Sequence, residues 1–355
     1  EFVHNKVGSK GKQRNISSGA EVPYTSRYPD GSVWTTAGLY AAYKINLNER
    51  LTMHLGARYS YNSLNAEFDT NLMKFPYEEA SMEDGALTGN AGIVFRPSDG
   101  WQLNGNFSTG YRMPNVDDVG KLFESTPGYI TVPNPDLKPE YALNFEVGIV
   151  REIDKKLKLE LNGFHTILQD AIVKRPFQFN GQDSIMFDGS MKYVEALQNV
   201  AKATAWGVQA SARFYFLESL FLQMNANRIW GKETDDAKDE QVPLRHAPPF
   251  YGSAQLNYKK NRITAELYSF YNSEVRFSDM APSERSKPDM YAKDADGNPF
   301  CPSWYTVNAK VSYRLTNHLT LAAGWENITN QRYRPYSSGV VAAGSNLIFS
   351  ARVNF

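Results

Sequence analysis

Long apolar runs are missing from this chain of 355 residues. No stretch approaches the roughly 20 consecutive apolar residues that a membrane-spanning helix needs, so a helical membrane protein is excluded. Cysteine is nearly absent as well, because Cys301 stands alone beside Pro302 in a predicted loop. A single cysteine rules out a framework of disulfide bonds within the chain.

An excess of charge is also missing, since 38 acidic residues balance 38 basic residues. The sequence has no basic stripe of the kind that follows a nucleic-acid backbone, so we expect no nucleic-acid partner. Histidine occurs only five times, and no phosphate-binding glycine loop, nucleophile elbow or pair of zinc ligands is evident. The sequence therefore predicts that the chain is not an enzyme and that it holds no metal site and no covalently bound cofactor.

Alternation of apolar and polar residues with a period of two is what the chain does contain, and this pattern predicts β-strands. Glycine, asparagine, threonine and charged residues occupy the second parity in one segment after another, which is the inverse of a soluble barrel. We therefore predict an all-β fold, an antiparallel β-barrel that turns its apolar face to the lipid of an outer membrane. The last segment, which begins at Gly344, shows the pattern, and its apolar parity consists of Leu347, Phe349, Ala351, Val353 and Phe355.

About thirteen strands are predicted in all. Residues 167–200 predict extensions of two of these strands. The approximate ranges are 33–45, 51–61, 86–96, 101–111, 141–150, 157–161, 204–216, 220–226, 250–259, 262–272, 304–314, 318–326 and 344–355.

The lengths of the connections alternate, and the alternation predicts sidedness. Short turns lie near residues 46, 97, 153, 217, 260 and 315. Outer-membrane barrels have short periplasmic turns and long extracellular loops, so we place the carboxyl terminus in the periplasm of a Gram-negative bacterium. The predicted extracellular loops lie near residues 62–84, 112–140, 176–200, 231–249, 273–303 and 327–343.

An odd number of strands implies that part of the barrel is encoded upstream. Residues 1–32 are polar and predict an extracellular loop that follows an upstream strand. A closed single-chain barrel of this kind has an even number of strands, and no signal peptide opens the chain. We expect residues 33–355 to be the C-terminal part of a roughly 22-stranded barrel whose lumen is plugged. About nine strands and the plug would then form an N-terminal portion with which this chain associates.

Tryptophan supports this arrangement of the strands. Trp34, Trp230, Trp304 and Trp325 fall at strand ends on the predicted outer rim, and Trp101 falls at the inner rim. Amphipathic aromatic rings suit the two membrane interfaces, so these residues predict the aromatic girdles of a barrel in contact with outer-membrane lipid.

Three ordered motifs resemble the C-terminal barrel of TonB-dependent outer-membrane receptors. The first, at residues 110–115, includes Tyr111, Arg112 and Pro114. The second, at residues 134–140, contains Asn134, Pro135, Leu137, Pro139 and Glu140. The third begins with Glu326 and Asn327 and precedes the terminal Phe355.

The resemblance extends over residues 33–355, and it implies a plugged barrel that binds a scarce, bulky nutrient outside the cell. Import of that nutrient would use energy that TonB delivers from the inner membrane through the N-terminal portion. The terminal Phe355 resembles the signal that the barrel assembly machinery reads. A passive, porin-like channel would use the same strands with an open lumen and is the alternative from another class.

The first two motifs resemble the corresponding boxes of haem and haemoglobin receptors. Those receptors carry a haem-ligating histidine between the boxes, whereas residues 116–133 contain none. Haem iron needs a donor such as histidine, tyrosine or cysteine, and Tyr129 could supply one there. The resemblance implies import of haem or a ferric siderophore, with cobalamin or another substrate of the family as the alternative. It also permits a surface lipoprotein or a host haem protein as a partner.

Six residues on the extracellular side are the predicted ligand contacts. The guanidinium of Arg112 suits bidentate capture of a carboxylate or catecholate, and its alternative role is a clamp at the root of a loop. A charged loop with Asp235, Asp236, Asp239 and Glu240 could bind calcium or could simply be solvated. The predicted ligand contacts are Tyr111, Arg112, Tyr129, Arg245, His246 and Tyr336.

Overall fold

The computed structural model describes residues 1–235 and 240–354, and β-strands dominate both ranges. In chain order the strands are β1 (Phe2–Lys6), β2 (Gly11–Arg14), β3 (Glu21–Tyr24), β4 (Val33–Asn46), β5 (Leu51–Glu67), β6 (Glu79–Phe95), β7 (Trp101–Arg112), β8 (Phe123–Thr126), β9 (Tyr129–Val132), β10 (Glu140–Ile153), β11 (Leu157–Pro176), β12 (Ser184–Phe187), β13 (Ser190–Leu217), β14 (Leu220–Asp235), β15 (Glu240–Pro243), β16 (Tyr251–Lys260), β17 (Ile263–Asn272), β18 (Ala292–Lys293), β19 (Pro299–Phe300), β20 (Trp304–Arg314), β21 (Leu319–Glu326) and β22 (Asn346–Val353).

Helical structure in the described ranges is confined to short pieces. The α-helices found there are α1 (Val116–Gly120) and α2 (Pro282–Arg285), and 3₁₀ turns cover Phe277–Asp279 and Pro288–Met290. Across the described ranges, none of these helices has the length and apolar character needed to cross a membrane.

Thirteen strands form one antiparallel meander, as the alternation predicts. Each strand hydrogen-bonds to the next in the order β4, β5, β6, β7, β10, β11, β13, β14, β16, β17, β20, β21 and β22. The fold class predicted from the sequence is therefore confirmed.

The amino-terminal segment corrects the prediction of a plain loop at residues 1–32. β1 pairs with the beginning of β4, with Phe2 opposite Ala37, and β2 and β3 form a separate hairpin. The segment was not recognisable as strand because five residues give too little alternation to identify a strand whose partner is unknown.

Several strands also extend far into the predicted loops. β5 continues to Glu67, β6 begins at Glu79, and β13 begins at Ser190. Beyond the membrane belt both faces of a strand meet solvent or loops, so the contrast between apolar and polar parity disappears while the hydrogen-bond ladder continues. The ends of these strands therefore could not be read from the pattern.

The two faces of the meander differ in exposure in the sense that the sequence predicts. On β5 the exposed fractions of Leu55 and Tyr59 are 40% and 53%, whereas those of Ser60 and Asn62 are 9% and 5%. Apolar side chains thus lie on the exposed face, which we call the outer face, and polar side chains lie on the sheltered inner face. A soluble sheet buries its apolar face, so this arrangement fits a sheet whose outer face contacts lipid.

Short turns join the strands at one end of the meander, the short-turn rim, and all the longer connections lie at the other end, the long-loop rim. Trp101 lies on the outer face at the short-turn rim, and Trp230 and Trp325 lie on the outer face at the long-loop rim. The girdle prediction is wrong for Trp34, which packs against an inner cluster, and for Trp304, which stacks on Tyr333 with ring centroids 4.1 Å apart. Both lie on the inner face because their positions have the parity opposite to outer-face residues such as Leu39 of β4 and Val311 of β20.

Two apolar clusters hold the loops together at the long-loop rim. The first joins Leu64 and Ala66 of β5 to Val116 and Val119 of α1 and to Leu137. Burial of such side chains contributes on the order of 1.5–3 kcal/mol each. The second cluster packs β9 against β13, and its buried members are Leu122, Ile130, Val132, Phe179, Ile185, Val194 and Ala196.

Candidate functional site at the long-loop rim

Arg112, the last residue of β7, makes two ion pairs within the chain. Its Nη2 atom lies 2.6 Å from Oδ2 of Asp118, and its Nη1 atom contacts Oε2 of Glu140. The register places Arg112 directly opposite Glu140, the first residue of β10. The predicted ligand residue Arg112 therefore joins the two ends of the 112–140 loop, and its side chain remains about half exposed.

Asp118 is held from two directions. Its carboxylate also accepts a hydrogen bond from the backbone N–H of Asn115 at 2.9 Å, and the side chain of Asn115 accepts from the N–H groups of Asp117 and Asp118. This reciprocal pattern is a capping box, which satisfies donors at the beginning of α1. The residues that follow the first motif therefore form a fixed helical turn rather than an open loop.

The second motif attaches the same loop to the strands beside it. The side chain of Asn134, 6% exposed, donates from Nδ2 to the carbonyl of Leu197 at 2.7 Å. Glu140 accepts a hydrogen bond from the N–H of Ile172 at 2.6 Å, and Leu137 is buried in the first apolar cluster. In addition, the hydroxyl of Tyr77 donates to the carbonyl of Pro133. The two motifs together thus form one joint that fixes the loop on β11 and β13.

Asn327 of the third motif organises the turn after β21. Its φ angle is +47°, a left-handed conformation that asparagine adopts more readily than most residues. The amide donates to the carbonyls of Gln331 and Ala343 at 2.9 and 3.1 Å, and the backbone N–H donates to Oδ1 of Asn308 at 2.8 Å. The motif residue Phe355 lies outside the described residues.

Tyr111 and Tyr129 occupy different surroundings. Tyr111 lies on the outer face of β7 opposite Tyr141, with ring centroids 5.3 Å apart. Tyr129 is exposed at the beginning of β9, and its ring lies 5.6 Å from that of Tyr193. β9 pairs in parallel with β13, so Tyr129 and Tyr193 are direct neighbours in the sheet. The predicted donor between the boxes is therefore accessible from solvent.

Arg245 and His246 contact a buried carboxylate that the sequence did not reveal, and Tyr336 packs beside a residue that binds it. Glu284 has no exposed surface, and its carboxylate contacts Nε of Arg245 at 3.0 Å and Nε2 of His246 at 3.7 Å. It also contacts Nζ of Lys287 at 3.1 Å and accepts a hydrogen bond from Tyr291, whose ring packs 6.1 Å from that of Tyr336.

Electrostatics at this carboxylate favour its charged form. Burial alone would raise the pKa of Glu284, but hydrogen bonds from Tyr291, Lys287 and Arg245 outweigh burial and lower that pKa. Burial, followed by Arg245, lowers the pKa of His246. The cluster therefore has one negative charge between two cations, and His246 is neutral near pH 7. Glu284 was missed because Pro282-Ser283-Glu284-Arg285 has no feature that distinguishes it from a solvated turn.

Burial is the main cause of the raised pKa values of Tyr336 and Cys301. It raises the pKa of Tyr336 to about 12 and that of the Cys301 thiol to about 11. Both side chains belong to an apolar cluster with Val275 and Met280. At neutral pH each is therefore protonated, and Tyr336 contributes packing and its hydroxyl rather than an anionic donor.

A cavity of about 710 Å³ lies between the β2–β3 hairpin and the connection that follows β5. Its volume is in the range typical of small-molecule sites. The apolar wall includes Tyr24, Tyr28, Phe68 and Phe75. Its charged residues are partly paired, with Lys12 bound to Glu21 at 3.1 Å and Lys10 bound to Asp30 at 3.7 Å. None of the six predicted ligand residues lines this cavity, and no sequence pattern predicted it.

A metal site is not found in the part of the chain that the structure describes, since no three histidine, cysteine or acidic residues cluster there. The proposed calcium loop cannot be placed fully. Asp236 and Asp239 lie outside the described residues, as does the side chain of Asp235, while Glu240 begins β15.

This chain is similar to a known family of proteins and to several of its members. Residues 5–328 match the family model described as "TonB dependent receptor-like, beta-barrel". Hemoglobin-haptoglobin utilization protein B of Neisseria meningitidis is 25% identical over 322 residues, which cover 84% of this chain and 38% of that protein. This chain therefore spans well under half the length of that relative.

Solved structures share the fold at lower identity. The copper transporter OprC superposes with a TM-score of 0.76 and 15% identity, covering 100% of this chain and 53% of its own. The ferric yersiniabactin uptake receptor FyuA from Yersinia pestis superposes with a TM-score of 0.58 and 17% identity, covering 94% of this chain and 47% of its own. At these identities the likeness concerns the fold alone.

Proposed function

Because the chain belongs to the TonB-dependent receptor-like β-barrel family, we propose that it is part of an outer-membrane receptor that imports an iron source. The ligand is haem or a ferric siderophore, bound at the long-loop rim on the outside of the cell. Import requires TonB and an N-terminal barrel and plug portion. The carboxyl terminus then lies on the periplasmic side.

The observation that carries this proposal is the exposed apolar outer face, combined with long structured loops at one rim only. Lipid is the environment that such a face fits. The iron-source part draws support from the relative named for hemoglobin-haptoglobin utilization and from the ferric yersiniabactin receptor. Haem and siderophores are bulky, so a receptor for them needs a large binding surface outside.

Ligand contacts follow from accessibility and charge. We assign Tyr129 and His246 direct contact, because both are exposed and both are donors to iron or to anionic groups. Arg112 and Arg245 already bind carboxylates, so their contribution is to hold the loops while offering their exposed guanidinium edges. Tyr111 and Tyr336 support these neighbours by packing. A host haem protein or a surface lipoprotein would dock on the same rim.

Growth of the native bacterium on defined iron sources tests the proposal. One strain lacks the gene, a second has the gene restored, and a third carries the gene but lacks tonB. Each strain is grown on haem, haemoglobin, ferric siderophores or ferric salt. We expect the iron source that the receptor binds to support growth only when both this gene and tonB are present. Ferric salt in excess should support growth of all strains. Uptake that persists without TonB would favour the passive channel. Growth that depends on the gene for cobalamin but for no iron source would move the ligand to that alternative.

A further inference from the structure

A group of basic and aromatic side chains lies on the outer face at the long-loop rim, away from the loops assigned to the iron source. On β14, Arg228, Trp230 and Lys232 follow one another on the same face, because side chains two positions apart in a strand point the same way. That face is the outer one, since Trp230 lies opposite Trp206 and Arg228 lies opposite Val208. We call Lys202, Trp206, Arg228, Trp230 and Lys232 the rim patch.

Arg228 is the first charged residue on the outer face of β14, counted from the short-turn rim. Below it toward the short-turn rim, the same face presents Leu222, Met224 and Ala226. Arg228 is eight residues above Leu220, so at 3.3 Å per residue and a tilt near 45° it lies roughly 19 Å from the short-turn rim. The apolar band of such barrels is about 25 Å tall. Arg228 is therefore roughly 6 Å below the upper boundary of the band, and its long side chain can extend toward the lipid head groups while its stem stays among apolar residues.

The cations of the rim patch are available to a ligand. The guanidinium of Arg228 lies 5.3 Å from the ring centroid of Trp230, a cation–π contact. Lys202 and Lys232 are exposed and lie on the same face of neighbouring strands. Among the described residues, none of these three cations forms an ion pair, although Arg175 pairs with Glu233 nearby at 3.4 Å.

A cavity of about 340 Å³ adjoins the patch. Trp206, Arg228, Trp230 and Lys232 form one wall, and the connection around Pro248 forms another. Two acidic residues also line it, Glu274 and Asp279, and Glu274 is paired with Arg276 at 2.8 Å. The strand side of the cavity is thus basic and aromatic, while the acidic residues lie on the loop side.

We infer that the rim patch binds a phosphorylated glycolipid of the outer leaflet, the bisphosphorylated diglucosamine lipid known as lipid A. Phosphate accepts charge-assisted hydrogen bonds from Arg228, Lys232 and Lys202. The sugar ring stacks on Trp206 and Trp230, and the acyl chains lie along the apolar outer face below. Charge complementarity selects this occupant, since a neutral lipid would leave the cations unpaired at the edge of the band. The inference rests on the proposed outer-membrane location, with this rim outward.

Binding of lipid A to the purified complete receptor in detergent tests the inference. The probes are bisphosphorylated lipid A, dephosphorylated lipid A with the same acyl chains, and inorganic phosphate. We expect native mass spectrometry to detect a complex with bisphosphorylated lipid A. Removal of both phosphates, or the variant Arg228→Gln/Lys232→Gln, should weaken binding about tenfold or more. Inorganic phosphate alone should bind weakly, because it lacks the acyl chains.

Arg151 provides a matched control. It also lies on the outer face above a tryptophan ring, with its guanidinium 4.8 Å from the centroid of Trp101, but at the short-turn rim. Arg151→Gln should leave the affinity for lipid A unchanged. Equal affinity for the phosphorylated and dephosphorylated lipids, or equal losses for the variants at both rims, would overturn the inference. Retained iron-dependent growth in the double variant would show that the proposed receptor function stands regardless of that outcome.

Discussion

At the scale of single residues, the long-loop rim depends on a few charged groups that bind one another. Glu284 is fully buried, and its carboxylate forms ion pairs with Arg245 and Lys287. Arg112 connects Asp118 and Glu140. A buried charge that loses its partner is costly, about 3–5 kcal/mol where both groups are out of water. These residues are therefore where single substitutions should have the largest local effects.

Glu284→Gln should loosen the loop that contains α2. The amide keeps the shape but leaves Arg245 and Lys287 without their shared anion, so we expect a local loss on the order of 2–3 kcal/mol. Hydrogen exchange of residues 281–291 in the complete receptor would measure it as faster exchange. Glu274→Gln is the matched control, because that side chain is half exposed and pairs only with Arg276. Equal exchange in both variants would contradict the assigned role of Glu284.

The same carboxylate predicts a pH dependence. The folded-state pKa of Glu284 is lowered below its ordinary value of about 4.3. A carboxylate with a lowered pKa stabilises the fold above its unfolded-state value, and that contribution is lost as the pH falls through the folded-state value. The protection of residues 281–291 from hydrogen exchange, expressed at each pH relative to the rate of an unstructured chain, should therefore be steady from pH 7 to pH 5 and should decrease in more acidic buffer. In Glu284→Gln this acid-induced loss of protection should disappear.

Arg112 allows the clamp and the ligand contact to be separated. Lysine cannot bridge two carboxylates with a planar fork, so Arg112→Lys should speed exchange of residues 115–122 if the residue acts as a clamp. Ligand affinity would then fall in proportion to that loosening. An affinity loss with unchanged exchange would instead identify a direct ligand contact.

At the scale of elements, the turn after β21 illustrates how a motif residue acts. Asn327 is 4% exposed, has a positive φ angle and donates hydrogen bonds to the carbonyls of Gln331 and Ala343. Asn327→Gly keeps the backbone conformation but loses the hydrogen bonds, whereas Asn327→Ala loses both. We expect destabilisation of about 1–3 kcal/mol for glycine and more for alanine. Thermal unfolding of the complete receptor would rank the two variants, and the reverse order would contradict this account.

Element positions were largely predictable because the alternation follows from one face meeting lipid. Leu51, Met53 and Leu55 signal β5 clearly, yet its end at Glu67 does not follow from the pattern. The joint between Arg112 and Glu140 could be anticipated in part, since both residues lie at the ends of neighbouring strands. Contacts such as that of Arg245 with Glu284 join segments 39 residues apart, and side-chain packing of loops has no periodic signature that a sequence displays.

At the scale of the whole molecule, the two faces of the meander make opposite demands on substitution. Leu161, Ala210 and Ala226 form one row across β11, β13 and β14 on the outer face. One residue along on β13, Gln209 lies on the inner face in a row with Asn162 and Asn227. Side chains at neighbouring positions in the sequence thus have different surroundings, lipid on the outer face and the barrel interior on the inner face.

Ala210→Arg and Gln209→Arg compare the two faces directly. A charge on the lipid-facing side of a barrel costs about 2–4 kcal/mol at mid-depth and less near the interfaces. We expect about 2 kcal/mol for Ala210→Arg and little change for Gln209→Arg, measured as the folded fraction of the complete receptor in lipid vesicles. If Gln209→Arg were the more harmful change, the assignment of the faces would be reversed.

The parallel ladder between β9 and β13 has a consequence for how the mouth could open. Four consecutive residue pairs, from Tyr129 with Tyr193 to Val132 with Ala196, tie the 112–140 loop to a strand that is not its neighbour in the meander. Moving this loop aside would break the ladder and separate the apolar side chains that are buried against it. The loop is therefore fixed across the long-loop rim, and any opening wide enough for a ligand would have to form beside it.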